Sequence, residues 1–145
     1  MNGDLKKLYP ETIKAHNESP FHFEKTADAA HTLKAYNPIC GDRFELYLSP
    51  KDQMISELHF HGFGCAISKA STSVLMKTLE GKSFQEALAA CNNFIRFIDH
   101  ELPYNELLLT VDFKAFSGVR DFPERYDCAT LSWKEMKTFL ESKLG

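Results

Sequence analysis

At 145 residues the chain is about one domain long, and residues 1–145 are expected to form a single domain that can bury a core without help from a metal or disulfides. Hydrophobic residues make up 43%, charged residues 26%, and the formal net charge is -3. That balance argues against nucleic acid or an anionic membrane as a partner. Met1 to Pro10 is polar and lacks the apolar run of a secretory signal, and no stretch approaches the ~20 apolar residues of a membrane span, so the expected compartment is the cytoplasm.

Leu5 to His16 has a helical mix that Pro10 interrupts, which predicts a kinked or two-part helix. Ser19 to Asn37 reads as irregular, with Pro20 near its start and Pro38 just beyond it. Phe44, Leu46 and Leu48 then alternate with Arg43, Glu45 and Tyr47, the period of a half-buried strand. Ser49 to Asp52 makes a turn, and a second strand follows with Met54, Leu58 and Phe60 on one face and Glu57, His59 and His61 on the other. Gly62 and Gly64 break it just before Cys65. Ala66 to Leu79 is a helix of small residues ended by Gly81. Ser83 and Glu86 form a capping box for another helix that runs to about Asp99. Glu101 to Gly118 is loop-rich, with room for one more strand in the apolar run Leu107 to Val111. The apolar stripe Phe122, Tyr126, Ala129, Trp133, Met136, Leu140 and Leu144 marks a long amphipathic C-terminal helix, with Pro123 in its first turn. The expected class is α+β: a small antiparallel sheet with helices packed on one side and a long final helix.

Four cysteines in a cytoplasmic setting are expected to be reduced thiols, used for metal binding, sulfur chemistry or burial. Cys40 lies in the turn Asn37-Pro38-Ile39-Cys40-Gly41-Asp42, where Gly41 permits a sharp bend and lets Cys40 and Asp42 aim at one point. A turn with one buried cysteine and an Asp capping its own backbone is the competing reading. Cys65 opens a helix, where free backbone N–H groups favour thiolate over thiol. Cys128 lies one position ahead of the stripe residue Ala129, about 100° off the centre of the buried face, and so is expected on its flank. Arg125, three residues earlier on nearly the same face, either pairs with Asp127 or Glu124 or offsets the charge of a thiolate site. Cys91, among Ala87, Leu88, Phe94 and Ile95, is a packing residue.

Three thiolates and one carboxylate suit tetrahedral zinc, and soft thiolates also suit iron–sulfur clusters. Zn²⁺ with four such ligands leaves excess negative charge that Arg125 could balance from outside the ligand set. His59 and His61 are read as solvated strand residues.

Three blocks carry a resemblance: Asn37-Pro38-x-Cys40-Gly41-Asp42, Gly62-x-Gly64-Cys65-Ala66-Ile67-Ser68-x-Ala70-Ser71-x-Ser73, and Pro123-x-Arg125-x-x-Cys128-Ala129-x-Leu131-x-Trp133. In this order they resemble the SufU branch of the IscU-like family, and the extra segment around Glu101 to Asp121 is similar to the insertion that marks SufU proteins. The resemblance implies an IscU-like fold and a zinc site of Cys40, Asp42, Cys65 and Cys128. It implies Cys40 as the acceptor of persulfide sulfur from a pyridoxal-phosphate cysteine desulfurase of the SufS type. Downstream iron–sulfur scaffold or acceptor proteins would receive that sulfur, and Arg125 would support the site. The alternative within the same family is a scaffold that binds an iron–sulfur cluster directly. Asp127 departs from the pattern: IscU scaffolds have His there, and SufU relatives commonly have Lys.

Overall fold

A computed structural model describes residues 3–39, 41–101, 105 and 109–144, with side chains from residue 10 onward. The order is α1 (Gly3–Glu18), β1 (His31–Asn37), β2 (Asp42–Lys51), β3 (Met54–Phe63), α2 (Ala66–Leu79), α3 (Phe84–Ile98), α4 (Val111–Lys114) and α5 (Tyr126–Leu144). Two 3-10 turns, Ser117–Asp121 and Pro123–Arg125, lead into α5. The three strands form one antiparallel sheet in the order β1-β2-β3.

The predicted hairpin is present but longer. β2 continues through Pro50 to Lys51, and the reversal falls on Asp52 and Gln53, both with positive φ. Two left-handed residues give the backbone twist that a two-residue hairpin turn requires. The inward set of β3 also differs from the expected one. Ile55, Leu58 and Phe60 are fully buried, whereas Met54 is exposed. Pairing jumps from Pro50↔Ile55 to Ser49↔Glu57, so Ser56 is an extra residue that switches the phase of the alternation.

A third strand, β1, occupies part of the segment expected to be irregular. Only Leu33 and Ala35 of its inward positions are apolar, too weak an alternation to read locally. Its full pairing with β2 from His31↔Leu48 to Asn37↔Asp42 fixes it. The expected two-part N-terminal helix is instead one element with Pro10 inside it. Packing compensates for the missing amide: Ile13 lies against the core, and His16 is tied to α2 and α4. The capping box of α3 forms as expected, with Ser83 and Glu86 bonding each other's backbone. No strand occurs between Glu101 and Gly118 among the described residues, which hold α4 and part of a 3-10 turn. Leu107 and Leu108 of the predicted apolar run, together with Pro103, lie outside those residues.

The core lies between the sheet and the helices, and α5 crosses both α2 and α3. Trp133 is fully buried, stacked on Phe94 at 4.3 Å and met edge-on by Phe113 at 5.3 Å. Phe122 is 54% exposed and stands outside this face, because a 3-10 turn rather than α-helix precedes Tyr126.

A polar clasp fixes α1 on the far side of α2. His16 Nδ1 meets Ser73 Oγ at 2.7 Å, its Nε2 meets Asp112 Oδ1 at 3.1 Å, and Lys77 Nζ donates to Asp112 Oδ2 at 2.9 Å. Burial alone would raise the Asp112 carboxyl, but the bonds from Lys77 and His16 outweigh it and hold the group below its ordinary value. Its folded-state pKa is thus below the unfolded one, so ionised Asp112 stabilises the fold at neutral pH. That contribution fades as pH falls through the unfolded carboxylate value toward the lower folded one. Denaturation midpoints measured between neutral pH and the acid limb should therefore fall less steeply in Asp112→Asn than in the parent. Parallel curves would remove Asp112 from the acid response.

Candidate metal centre

Asp42 owes its place to the alternation of β2. As the first residue of the strand it shares the inward face with Phe44, Leu46 and Leu48, and it is fully buried. The turn that delivers it is tight. Gly41 adopts φ +78°, its N–H donates to Asn37 O at 2.8 Å, and Asn37 Oδ1 accepts from the Ile39 N–H at 3.1 Å. Only a residue without Cβ takes that φ without strain. Cys40 belongs to this connection in sequence but lies outside the described residues.

Asp42 Oδ1 accepts the backbone N–H of Cys65 at 2.9 Å. Its Oδ2 is buried with no hydrogen-bond partner among the described residues. A carboxylate oxygen buried without a partner costs free energy unless a cation meets it. Cys65 is the N-cap of α2, and its Sγ accepts the Ser68 N–H at 3.4 Å. The third group, Cys128, stands on α5 and is only 5% exposed. This corrects the expected flank position. Because α5 packs on α2, α3 and β1 together, its buried surface is wider than the one stripe and takes in Cys128 and Ser132.

Ligand atoms of Asp42, Cys65 and Cys128 all lie within 4.8 Å of one another. One carboxylate oxygen and two sulfurs at this spacing, with one carboxylate oxygen unsatisfied, fit a tetrahedral metal with a fourth ligand still to be supplied. A loop, a helix start and a second helix build the set, so packing controls its geometry. Ser71, from α2, donates to the carbonyl of Ala129, next to Cys128, and accepts from Trp133 Nε1 at 2.8 Å. Thr72 Oγ1 and Ser132 Oγ meet at 2.7 Å in the same interface. These buried bonds tie the α2 that begins at Cys65 to the α5 that carries Cys128.

Glycines close the other side. A Cβ on Gly62 would stand 2.0 Å from Arg43 O, and one on Gly64 would stand 2.6 Å from both Asp42 Oδ1 and Ser68 Oγ. Gly64 is thus a cradle for the carboxylate. The sequence motif contained Gly64, Ser68 and Ser71, but nothing in their identities showed that they meet the ligands.

The remaining candidates are placed as follows. Cys91 is fully buried in the core, and burial pushes its thiol well up, as suits a packing residue. Arg125 is exposed, with no carboxylate within 4 Å among the described residues. It lines a cavity of about 670 Å³ with Pro10, Ile13, Ile67, Val119 and Phe122. Asp127 is paired instead with Lys134, at 3.8 Å, and its side chain is 76% exposed. His61 stacks on Phe23 at 4.8 Å, and His59 lies edge-on to His22 at 5.1 Å. Neither joins a metal-spaced cluster among the described residues.

The whole chain has relatives. The NifU-like N-terminal domain family matches residues 8–129. The zinc-dependent sulfurtransferase SufU of Bacillus subtilis is 32% identical over 144 residues, covering 99% of this chain and 97% of that one. The iron–sulfur cluster assembly scaffold protein IscU of Streptococcus pyogenes is 34% identical over 134 residues, 92% of this chain and 82% of that one. The crystal structure of FiSufU from Fervidobacterium islandicum AW-1, a cluster assembly protein of the SUF system, superposes with a TM-score of 0.84 at 31% identity. That match covers 90% of this chain and 94% of the other. Sequence and fold thus agree, and the chain belongs to the NifU-like N-terminal domain family, the IscU-like proteins of iron–sulfur cluster assembly.

Proposed function

We propose that this chain is a zinc-dependent sulfur acceptor that takes persulfide sulfur from a SufS-type cysteine desulfurase and passes it toward iron–sulfur cluster assembly. The observation that carries the reading is the buried Oδ2 of Asp42, without a partner among the described residues, in a carboxylate that clusters with Cys65 and Cys128. The SufU relative, similar over nearly its whole length and named a zinc-dependent sulfurtransferase, supports it. Cys40, two residues before Asp42, would supply the fourth ligand atom. When bound, zinc would keep the ligand thiols deprotonated at neutral pH.

Cys65 and Cys128 hold their places through α2 and α5, while Cys40 comes from a connection between strands. In this reading Cys40 is the acceptor thiol. Its thiolate attacks the outer sulfur of the desulfurase persulfide, a new S–S bond forms on Cys40, and the desulfurase cysteine leaves as thiolate. Exposed Arg125 would place a positive charge beside the site and its partner. No helix among the described residues is long and apolar enough to cross a membrane.

Incubation with a cysteine desulfurase and L-cysteine, followed by peptide mass spectrometry, should find one added sulfur on the Cys40 peptide and none in Cys40→Ala. Undiminished persulfide on the variant would sink the assignment. The second reading, direct assembly of a cluster, draws on the relatives named scaffold proteins. It requires that anaerobic reconstitution with iron and sulfide give a stable cluster without zinc being stripped first.

A further inference from the structure

Ser68 is 2% exposed, so its hydroxyl has no water to bond. Every polar atom it offers toward the site goes to Cys65. Its N–H donates to Cys65 Sγ at 3.4 Å, its Oγ lies 3.5 Å from the same sulfur, and its hydroxyl reaches Cys65 O at 3.1 Å. That carbonyl is already served by the Lys69 N–H at 3.0 Å. The hydroxyl proton is therefore free to turn from the carbonyl to the sulfur. Turned that way, the Ser68 O–H would donate to Cys65 Sγ, 3.5 Å from its oxygen. A hydroxyl so close to a backbone carbonyl and a sulfur can make this change by rotation about one bond, with no movement of the helix.

The geometry points to Ser68 as the positioning residue that keeps Cys65 a metal holder rather than a sulfur acceptor. The inference rests on the metal-site reading above. The Ser68 N–H already donates to the Cys65 sulfur, and with the hydroxyl turned from the carbonyl an O–H of the same residue would join it and draw charge from that sulfur. A thiolate bonded in this way donates less to the metal and attacks an electrophile more slowly, because the hydrogen bonds must weaken as the new bond forms. Ser68 also fixes direction. Its Oγ and Asp42 Oδ1 both stand 2.6 Å from where a Gly64 Cβ would lie, so carboxylate and hydroxyl are packed about one glycine.

The test uses the full chain loaded with Co²⁺ and needs no desulfurase. The parent should show sulfur-to-cobalt charge-transfer absorption, and Ser68→Ala should move it to lower energy, because a sulfur that has lost a donor gives up charge more readily. Iodoacetamide forms an S–C bond as iodide leaves with the electron pair, and mass spectrometry locates the label. Labelling of Cys65 should rise about tenfold or more in Ser68→Ala, the lower end of what one lost hydrogen bond to a charged group is worth. Ser68→Thr, which keeps the hydroxyl, should restore both signals. A folded Ser68→Ala with unchanged absorption and unchanged Cys65 labelling overturns the inference, as does failure of both variants to bind metal while the parent does. Absence of sulfur-to-cobalt absorption in the parent overturns the metal-site reading itself, and this inference with it.

Discussion

Asp42→Asn is expected to move the stabilities of the metal-free and zinc-loaded proteins in opposite directions. Asparagine keeps an oxygen that can accept the Cys65 N–H at the position of Oδ1, so the strand-to-helix link survives. What it removes is a buried carboxylate whose Oδ2 meets no donor among the described residues. In the metal-free protein that charge is a cost, and replacing it by a neutral amide, whose Nδ2–H still lacks an acceptor, should stabilise the fold by about 1–3 kcal/mol, part of the penalty of an unpaired buried charge. In the zinc-loaded protein the same change removes a charged ligand. Affinity should fall by more than the roughly 10–100-fold that accompanies loss of a supporting residue. Denaturation curves with and without a chelator, together with competition against a chromophoric zinc indicator, read both effects. A loss of stability in the metal-free protein would show that Oδ2 is satisfied by something other than a metal.

Alanine at the two glycines before Cys65 separates fold from site. Gly62 has φ +140°, and an added Cβ would stand 2.0 Å from Arg43 O, on the neighbouring strand. Neither atom is the end of a flexible side chain, so the β2–β3 pairing itself must open. Gly62→Ala should cost more than about 3 kcal/mol, combining backbone strain with a backbone clash. Gly64→Ala meets Asp42 Oδ1 and Ser68 Oγ at 2.6 Å and Phe44 Cε2 at 2.9 Å, which are side chains and can shift. Its stability loss should be smaller, about 1–3 kcal/mol. Its zinc loss should be out of proportion, because the atom displaced belongs to a ligand carboxylate. Urea midpoints and zinc stoichiometry measured on both variants give the comparison. A Gly64→Ala protein that holds zinc as tightly as the parent would mean that the carboxylate is not constrained from this side.

These two experiments bear on the same question from opposite ends. Asp42→Asn changes what the carboxylate is, and Gly64→Ala changes where it sits. If ligand geometry is set by packing, both should weaken zinc binding while only the first stabilises the metal-free chain. The contrast depends on a full set of side chains around one point, as found at the start of α2 and the adjoining end of β2.

Much of the framework was legible in the residues themselves. The alternation Phe44, Leu46, Leu48, the N-cap pair Ser83 and Glu86, and the bounds of α2 all rest on interactions between near neighbours in the chain. Local rules suffice where the partners are a few residues apart. β1 escaped because its inward residues are few and its structure comes from pairing with β2. Met54 faces outward because a single extra residue, Ser56, shifts the phase between it and Leu58 and Phe60, which face inward as expected. Pro10 suggested an interruption that tertiary contacts of the same helix override.

The chemistry divides in the same way. Residue identity and local pattern mark the types that can make a sulfur and oxygen site: Asp42 beside a glycine turn, Cys65 before a helix, and Cys128 in the last helix. They also mark Cys91 for packing, since its apolar neighbours lie on its own helix. That Asp42, Cys65 and Cys128 meet, that Cys128 is buried, and that Asp42 keeps an oxygen without a partner among the described residues come from the folded arrangement alone. The physical reason is distance along the chain. Cys65 and Cys128 are joined through the buried bonds from Ser71 and Thr72 to α5, and such contacts leave no periodicity in either segment from which they could be read.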